Sequence, residues 1–458
     1  MDSRNEIDRE LVERYDTSAF MYVEYPHKSF WSREFDESDF EEGLYDLFVQ
    51  RQNPVLLYVH MPYCQKQCLF CTCHVLITSE YDRVIAYLGI LYREIELYRH
   101  FFEIYGVRPN FREIHLGGGS PTFINEEDFQ EMVRRLGTIA DMANLEEFSI
   151  EIDPRRVKKE RMYFYHRMGI NRISFGIQDF DPKVQRAVDR LQPSLLTERL
   201  LTSDIRALFP NGVNFDIICG LPHQTVESIR TTMETVAALG PDRVCLNYLD
   251  YSLQTVRFAP HQLRMPREVI PRGYARKQLF LTAREVLERS GYLRTGYDHF
   301  AKPTDDVSRA MKEKKMIWNS LGSTPGRCVD ILGIGVHSYS RLGPCFYAQS
   351  TYDLGEYERA VLGGHFPIFR GHRLSDDDIL RREVIHALRS YFSVVFKDID
   401  RQFGIVFTEH FRVEIASLSG FVQDGLVEIS SESIKITELG QQFANLVCGA
   451  FDAYLPVP

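Results

Sequence analysis

Residues 58–74 read YVHMPYCQKQCLFCTCH and place four of the chain's nine cysteines within ten positions. Such a loop can serve disulfides, a zinc site or an iron–sulfur cluster. The odd number of cysteines and the lack of a charged-then-apolar leader predict a reducing cytoplasm, which disfavours disulfides. The other five cysteines stand singly in mostly apolar contexts, where we expect buried small side chains.

The spacing of the loop cysteines, C-x3-C-x2-C-x-C, bears on the two metal alternatives. Zinc sites usually draw on two short cysteine pairs far apart in sequence, whereas here one loop supplies all the thiols and no second pair follows. Thiolates on one tight loop suit a cubane cluster, because they can cap several of its corners. Three cysteines with the fourth iron left open would let such a cluster bind a substrate or cofactor directly.

Short apolar runs alternate with helical stretches over the first 250 residues. Such a βα repeat predicts a parallel sheet, either open and doubly wound or closed as a barrel. The runs expected to form strands are VLLYVH (55–60), REIHLG (112–117), EEFSIEID (146–153), RISFGIQ (172–178), VNFDIICG (213–220) and DRVCLNYL (242–249).

Chemically distinctive residues cluster towards the ends of these strands. The cysteines follow the first strand, Gly117–Gly119 follow the second, Glu151 and Asp153 end the third, Gln178 ends the fourth, and Asp216 lies in the fifth. Ligands of both candidate folds bind at the carboxyl ends of the strands. We therefore expect one site there.

Beyond residue 250 the pattern changes. ARKQLFLTAREVLERSG (275–291) predicts a helix, and a loop-rich stretch is expected to about residue 350. The chain from about Phe366 predicts a helical unit with a hairpin at 425–440, a winged-helix shape. Nine Lys and Arg face thirteen Asp and Glu in that unit, and the whole chain has a formal charge of −10. We therefore expect no nucleic-acid partner, and the lack of an apolar run near 18 residues predicts no membrane span.

C-x3-C-x2-C after the first strand of a βα repeat resembles the radical S-adenosylmethionine (SAM) superfamily. Over nearly the whole chain, further blocks are similar in order and spacing to the oxygen-independent coproporphyrinogen III dehydrogenase family. These blocks are HLGGGSPT (115–122), SIEIDPR (149–155), FGIQDFDPKVQRAVDR (175–190), FDIICGLPHQT (215–225), YDHFAKP (297–303) and DILGIGV (330–336).

The resemblance implies an α/β fold, a partial (β/α)6 radical SAM barrel with a mainly helical, winged-helix-like C-terminal domain. It also implies four parts of the chain. These are a helical substrate-side segment (1–52), the radical SAM core (53–250), a barrel extension with substrate-side loops (251–365) and the C-terminal helical domain (366–458).

The resemblance also implies the cofactors. Cys64, Cys68 and Cys71 would hold a 4Fe–4S cluster, and the amino and carboxylate groups of SAM would chelate the fourth iron. Cys73 would stay off the cluster. Phe70 matches an aromatic residue that contacts the adenine.

Other matched positions would contact SAM or the substrate. They are Gly118, Gly119 and Ser120 at the amino-acid end of SAM, Glu151 at its amino or ribose groups, Gln178 and Asp216 at its ribose or elsewhere on the cofactor, Arg190 at its carboxylate, and Tyr58 as a catalytic and cofactor-binding residue near the cluster and substrate. Each position also has an explanation that needs no cofactor. The glycines could form a tight turn, Glu151 a structural ion pair, and Gln178 and Asp216 hydrogen bonds in the core. Arg190 could be a solvated arginine and Tyr58 a core tyrosine.

The implied activity turns coproporphyrinogen III into protoporphyrinogen IX, a step of porphyrin and heme biosynthesis. A reduced cluster would pass one electron to SAM, and the resulting 5′-deoxyadenosyl radical would take hydrogen from a propionate β-carbon. Loss of carbon dioxide and of one electron to an acceptor would leave a vinyl group. The family also holds a second SAM in the site. We expect a cytoplasmic monomer served by an electron donor such as flavodoxin or ferredoxin.

Two substrate-side stretches depart from the family pattern. Met21 stands where the family has arginine, Val23 and Glu24 replace small hydroxylated residues, and WNSLGSTPGRCVD (318–330) lacks a GYTT-like run. Coproporphyrinogen carries four carboxylates, which call for arginine or lysine partners. Two alternatives therefore stay open: a radical SAM paralogue that methylates or modifies another substrate, such as heme, and a heme-binding trafficking protein on the same scaffold.

Overall fold

The structure, a computed structural model, describes residues 8–16, 22–252 and 255–455, so Met21 lies outside the described residues. The strands are β1 (Val55–Met61), β2 (Tyr63–Cys64), β3 (Leu76–Ile77), β4 (Phe111–Gly118), β5 (Glu147–Ile152), β6 (Arg172–Gln178), β7 (Val213–Cys219), β8 (Arg243–Tyr248), β9 (Leu293–Arg294), β10 (His299–Ala301), β11 (Ile317–Asn319), β12 (Gly322–Thr324), β13 (Asp330–Ile334), β14 (Tyr339–Leu342), β15 (Phe346–Ser350), β16 (Ile368–Arg373), β17 (Ser393–Val395), β18 (Val427–Ile429) and β19 (Ser433–Ile436).

The helices connect and cover these strands. They are α1 (Arg9–Arg14), α2 (Glu37–Tyr45), α3 (Tyr81–Tyr105), α4 (Glu126–Leu136), α5 (Lys159–Arg167), α6 (Pro182–Ala187), α7 (Ser194–Leu200), α8 (Ser203–Arg206), α9 (Val226–Leu239), α10 (Thr255–Phe258), α11 (Gly273–Arg289), α12 (Asp306–Lys312), α13 (Leu354–Leu362), α14 (Asp376–Tyr391), α15 (Phe396–Phe403), α16 (Phe407–His410), α17 (Arg412–Ser417), α18 (Ser419–Gln423) and α19 (Ala444–Gly449).

A twelve-stranded sheet organises the described part of the chain, in the order β16-β15-β14-β13-β1-β4-β5-β6-β7-β8-β10-β9. From β1 through β4 to β8, each strand lies parallel to the one before it, and helices connect them. This succession confirms the predicted α/β fold with six βα units. Because helices cover the outer face, apolar side chains that face the helices alternate with polar ones in most of these strands. Their side chains form one large core with α3, α4, α5 and α9.

The stretch up to residue 350 is not loop-rich, so that prediction was wrong. It contains β9–β15, and β13 pairs in parallel with β1 while β14 and β15 continue the sheet antiparallel. β9 and β10 extend the opposite edge beyond β8. All of the strands β9–β15 are only two to five residues long. Within this stretch β9–β10, β11–β12 and β14–β15 pair as local hairpins, whereas β13 and β10 pair with β1 and β8, which are distant in sequence.

The C-terminal region packs α14–α19 around a small sheet of β17, β19 and β18, with its own apolar cluster. β18 and β19 form the hairpin expected near residues 425–440. β16 belongs to the large sheet, so a boundary at residue 366 would separate it from β15. The four-part division of the chain stays a prediction. Among the described residues, no helix has the length and apolar character needed to cross a membrane.

Candidate active site

A cavity of about 2420 Å³ lies across the carboxyl ends of the parallel strands and extends into the barrel. The structure places every predicted site residue on its lining. These residues are Tyr58, Cys64, Cys68, Phe70, Cys71, Gly118, Gly119, Ser120, Glu151, Gln178, Arg190 and Asp216. Their roles stay predictions, but their common location follows from the parallel strands that carry them.

The cysteine loop is fixed at both of its ends. β2 and β3 pair in parallel, the Leu76 N–H donates to the Pro62 carbonyl at 2.7 Å, and the Thr78 N–H donates to the Cys64 carbonyl at 3.0 Å. In the middle of the loop, the Leu69 N–H donates to the Val188 carbonyl at 3.0 Å. The loop therefore presents its thiols from a constrained backbone.

Two guanidinium groups face the thiol of Cys68. Arg190 Nη1 lies 3.4 Å and Arg155 Nη2 lies 3.6 Å from Cys68 Sγ. Positive N–H donors of this kind stabilise a thiolate, the form that binds metal. Arg155 was missed by the sequence reasoning, although it stands in the SIEIDPR block that carried the resemblance.

Asp153 holds both arginines in place. Arg155 donates to it through Nη2 at 2.6 Å and Nε at 2.9 Å, and Arg190 Nη2 lies 3.8 Å from Asp153 Oδ1. Burial alone would raise the pKa of Asp153, but the hydrogen bonds from Arg155 and the charge of Arg190 outweigh burial and lower it. The carboxylate is therefore ionised and keeps the two guanidinium groups oriented.

The donor set fits an iron–sulfur cluster. Burial, followed by the neighbouring Cys68, raises the pKa of Cys64 to about 12, so a bound metal must supply the charge that stabilises its thiolate. In the described ranges, no three His, Cys, Asp or Glu side chains converge as the ligands of one metal ion would. A cubane does not require such convergence, because each thiolate binds a different iron.

The glycine turn after β4 packs against the strand that leads into the cysteine loop. The Gly119 N–H donates to the Met61 carbonyl at 2.6 Å, and the Ser120 N–H donates to the Tyr63 carbonyl at 3.0 Å. A Cβ at Gly119 would lie 2.9 Å from that Met61 oxygen, and Gly118 has a φ of +109°. Only glycine allows this close approach, which leaves the backbone open towards the cavity.

The next three strands, β5, β6 and β7, each contribute a polar side chain to the cavity. Glu151 faces the cavity beside His115, whose Nε2 lies 3.3 Å from Glu151 Oε1. Gln178 has a φ of +69°, and its buried Oε1 has no hydrogen-bond partner in the part of the chain that the structure describes. A buried amide oxygen without a partner is costly, so it fits a ligand that brings a donor.

Asp216 differs from these two residues because its oxygens already have partners. Ser174 donates to Oδ2 at 3.1 Å and Asn214 donates to Oδ1 at 3.0 Å. Burial, and then the charge of Glu151, raise the pKa of Asp216. Core hydrogen bonding, the alternative left open by the sequence, therefore describes part of its role.

Arg190 is 8% exposed, so it is not a solvated surface arginine. Its Nη2 donates to the Gly176 carbonyl at 2.6 Å, which fixes the group between β6 and the cysteine loop. Tyr58 is also held, since its hydroxyl lies 2.9 Å from His60 Nδ1 and its ring stacks on His115 with centroids 6.0 Å apart.

Basic side chains line the cavity near both edges of the sheet. Close to the β16 edge, Arg370 lines the cavity with Lys28 and Arg33, and the Arg33 Cζ lies 4.5 Å from the Phe369 ring centroid. The sequence alone does not identify these basic residues as cavity-lining, because most arginines and lysines lie at the protein surface.

Near the other edge, Arg276 and Lys277 of α11 line the same cavity. Burial, and then the charge of Arg276, lower the pKa of Lys277 to about 7. The Lys277 Nζ donates to the Gln442 carbonyl at 2.6 Å. Among the described residues, the buried Nε of Arg276 has no hydrogen-bond partner.

The two stretches that departed from the family pattern border this cavity where they are described. Val23 and Glu24 line it, and so do residues 318–325, which cover all of the β11–β12 hairpin except its first residue. Burial raises the pKa of Glu24. These positions are therefore placed to influence which substrate fits.

Comparison with known protein families identifies the class of protein to which this fold and site belong. A family model described as the Radical SAM superfamily matches residues 58–236, which span the cysteine loop and the strands up to α9. A second, described as the HemN C-terminal domain, matches residues 374–443. Both agree with a radical SAM enzyme, a class whose cofactors are a 4Fe–4S cluster and SAM.

Full-length relatives narrow the class. The oxygen-independent coproporphyrinogen III oxidase of Pseudomonas aeruginosa is 35% identical over 98% of this chain and 96% of its own length. The Escherichia coli protein of the same name is 32% identical over 98% of this chain and 95% of its own length. A solved structure titled as coproporphyrinogen III oxidase (HemN) from Escherichia coli, a radical SAM enzyme, superposes with a TM-score of 0.88 and covers 98% of this chain and 99% of its own. The chain belongs to the oxygen-independent coproporphyrinogen III oxidase family.

Proposed function

We propose that this chain catalyses the oxygen-independent oxidative decarboxylation of coproporphyrinogen III. Two propionates become vinyl groups, and the product is protoporphyrinogen IX. The observation that carries the proposal is the agreement in sequence and fold with coproporphyrinogen III oxidases along 98% of the chain.

The size of the cavity supports a large substrate. Pockets for small molecules typically measure roughly 300–1,000 Å³. At about 2420 Å³ the cavity has room for a macrocycle beside SAM, and a second SAM belongs to the same proposal.

The charges of the cavity support a substrate with several carboxylates. Lys28, Arg33 and Arg370 near one edge of the sheet, and Arg276 and Lys277 near the other, would pair with carboxylates on two sides of one ring. In this arrangement, basic residues elsewhere in the chain would pair with the substrate carboxylate that the family's arginine at position 21 was expected to bind.

The cofactor would be held by the residues around the cysteine loop. Cys64, Cys68 and Cys71 would bind the cluster, with Arg155 and Arg190 stabilising the Cys68 thiolate. When bound, the cluster and SAM supply a carbon radical that can take hydrogen from an unactivated propionate carbon. The protein's part is to orient the reactants and to exclude water and oxygen.

The strand ends would orient SAM. The open backbone at Gly118, Gly119 and Ser120 would receive its amino-acid end, and the Gln178 amide oxygen would accept from a hydroxyl or amino group. The remaining proposed contacts are Glu151, Asp216, Arg190 and the ring of Phe70. The hydroxyl of Tyr58, fixed by His60, would face the substrate beside the cluster.

We extend the proposal to the setting in which the chain works. All nine cysteines are free, which suits a reducing cytoplasm. We expect a monomer that receives electrons from a carrier such as flavodoxin or ferredoxin.

An anaerobic assay tests the proposed function. The cluster-loaded protein receives SAM, a chemical reductant and coproporphyrinogen III, and mass spectrometry follows the products. Two losses of carbon dioxide together with 5′-deoxyadenosine are the expected result. Deoxyadenosine with unchanged porphyrinogen would assign the radical chemistry to another substrate, and the absence of deoxyadenosine would favour a binding role.

A further inference from the structure

Residues 255–272 form a cover over the cysteine loop, here named the basic cover. His261 Nε2 donates to the Cys71 carbonyl at 2.7 Å, and Gln262 Nε2 donates to the Phe70 carbonyl at 2.9 Å. Met265 and Ile270 share a buried apolar cluster with Leu69 of the loop. The cover is therefore attached to the residues that would hold the iron–sulfur cluster.

The exposed face of the basic cover carries a charge opposite to that of the whole chain. The chain has 54 Lys and Arg against 64 Asp and Glu. The cover exposes four arginines against a single acid, Glu268. The arginines are Arg257, Arg264, Arg267 and Arg272. In the ranges that the structure describes, neither Arg257 nor Arg264 forms an ion pair, so both charges are available to a partner.

Apolar side chains stand among these charges. Phe258 is 82% exposed and Leu263 is 48% exposed. Large exposed apolar residues surrounded by charge are typical of protein contact surfaces rather than of a solvated loop. α6 extends the same surface, because Val184 packs into the apolar cluster beneath the cover while Lys183 and Arg186 are exposed.

From this geometry we propose that the basic cover and α6 form the docking surface for a small electron-carrier protein with an acidic surface. The proposal rests on the proposed function in one respect, since it requires a reducible cluster in the loop beneath. Complementary charge would accelerate and orient the encounter, and Phe258 and Leu263 would supply the apolar contact. One electron would leave the reduced centre of the carrier, which is oxidised, and enter the cluster, which is reduced.

Charge reversal on the cover tests the surface. The double variant Arg257→Glu/Arg264→Glu is compared with wild type and with Arg401→Glu/Arg412→Glu, which changes exposed arginines of α15 and α17. The probe is a flavodoxin, because flavodoxins are acidic electron carriers. Its affinity for the cluster-loaded protein is measured by titration at several salt concentrations.

We expect the cover variant to bind flavodoxin roughly tenfold more weakly at low salt, with a flatter dependence on salt, because steering charges act mainly on association. The control variant should bind as wild type does. Formation of 5′-deoxyadenosine should fall in the cover variant when flavodoxin is the reductant and stay unchanged when dithionite is.

Several outcomes would overturn the proposal. One is equal affinity in the cover variant and wild type, and another is an equal loss in the control. Binding of an RNA oligonucleotide instead of flavodoxin, lost in the cover variant, would assign the surface to nucleic acid.

If the Glu variant fails to fold, Arg257→Gln/Arg264→Gln gives the same test with a smaller expected change. Unchanged coproporphyrinogen alongside cover-dependent flavodoxin binding would refute the proposed function and leave the docking surface standing.

Discussion

Replacing Glu94 by glutamine should change the pH dependence of stability. Glu94 lies on α3, is 1% exposed, and accepts hydrogen bonds from the Gly335 N–H at 2.7 Å and the Tyr357 hydroxyl at 2.6 Å. In the described part of the chain it has no cationic partner. Burial therefore dominates over these hydrogen bonds and raises its pKa from 4.5 to about 7.

The sign follows from the raised pKa. The folded protein holds the proton of Glu94 more tightly than the unfolded chain does, so its contribution to stability is full below pH 4.5 and is lost as the pH rises to about 7. At about 1.4 kcal/mol per pH unit, the rise corresponds to about 3 kcal/mol. Glutamine is neutral at every pH and close in shape to the protonated acid. The Glu94→Gln variant should therefore not lose stability as the pH rises to about 7.

Urea unfolding between pH 4.5 and 8, followed by the fluorescence of the buried Trp31 and Trp318, measures the effect. The unfolding free energy of Glu94→Gln should match that of wild type near pH 4.5 and exceed it by about 3 kcal/mol above pH 7. The control Glu103→Gln changes an exposed glutamate of the same helix and should stay within about 0.5 kcal/mol of wild type. A difference between Glu94→Gln and wild type that does not vary with pH would refute the burial argument.

Three further substitutions address the site. Cys68→Ala should abolish both the cluster absorbance and SAM cleavage, whereas Cys345→Ala should leave both intact; full activity of Cys68→Ala would contradict the radical SAM assignment. Gly119→Ala should cost roughly 1–3 kcal/mol of stability and weaken SAM binding, because its Cβ would press on backbone 2.9 Å away. Gly89→Ala, whose Cβ meets nothing within 4 Å, should instead stabilise α3 by about 0.5–1 kcal/mol, and equal effects of the two would refute the steric argument. In wild type the KM for coproporphyrinogen should rise as the pH passes about 7, because Lys277 loses its charge there. Lys277→Met should have a high KM without that pH step, and an unchanged pH profile would exclude Lys277 from substrate binding.

Much of the barrel could be read from the sequence because its signals are local. The strands β1 and β4–β8 are short segments with regularly spaced apolar residues and helices between them, and the predicted and observed bounds differ by at most one residue at each end. Parallel strands place their carboxyl ends on one side, so the cysteines, Gly119, Glu151 and Gln178 had to lie near one another. The ligand cysteines were recognisable because three thiols at that spacing have few other uses.

Other features were decided only by the tertiary structure. Among the short strands, β13 and β10 pair with β1 and β8, which lie far away in sequence, and these two long-range pairs fix where the β14–β15 and β9–β10 hairpins join the sheet. Arg155 and Arg190 become thiolate partners only when two loops meet at Cys68. Arg370 and Lys277 come to line one cavity because the curved sheet brings β16 and α11 around the same space. A sequence records which charges are present, but long-range packing determines which of them face the same ligand.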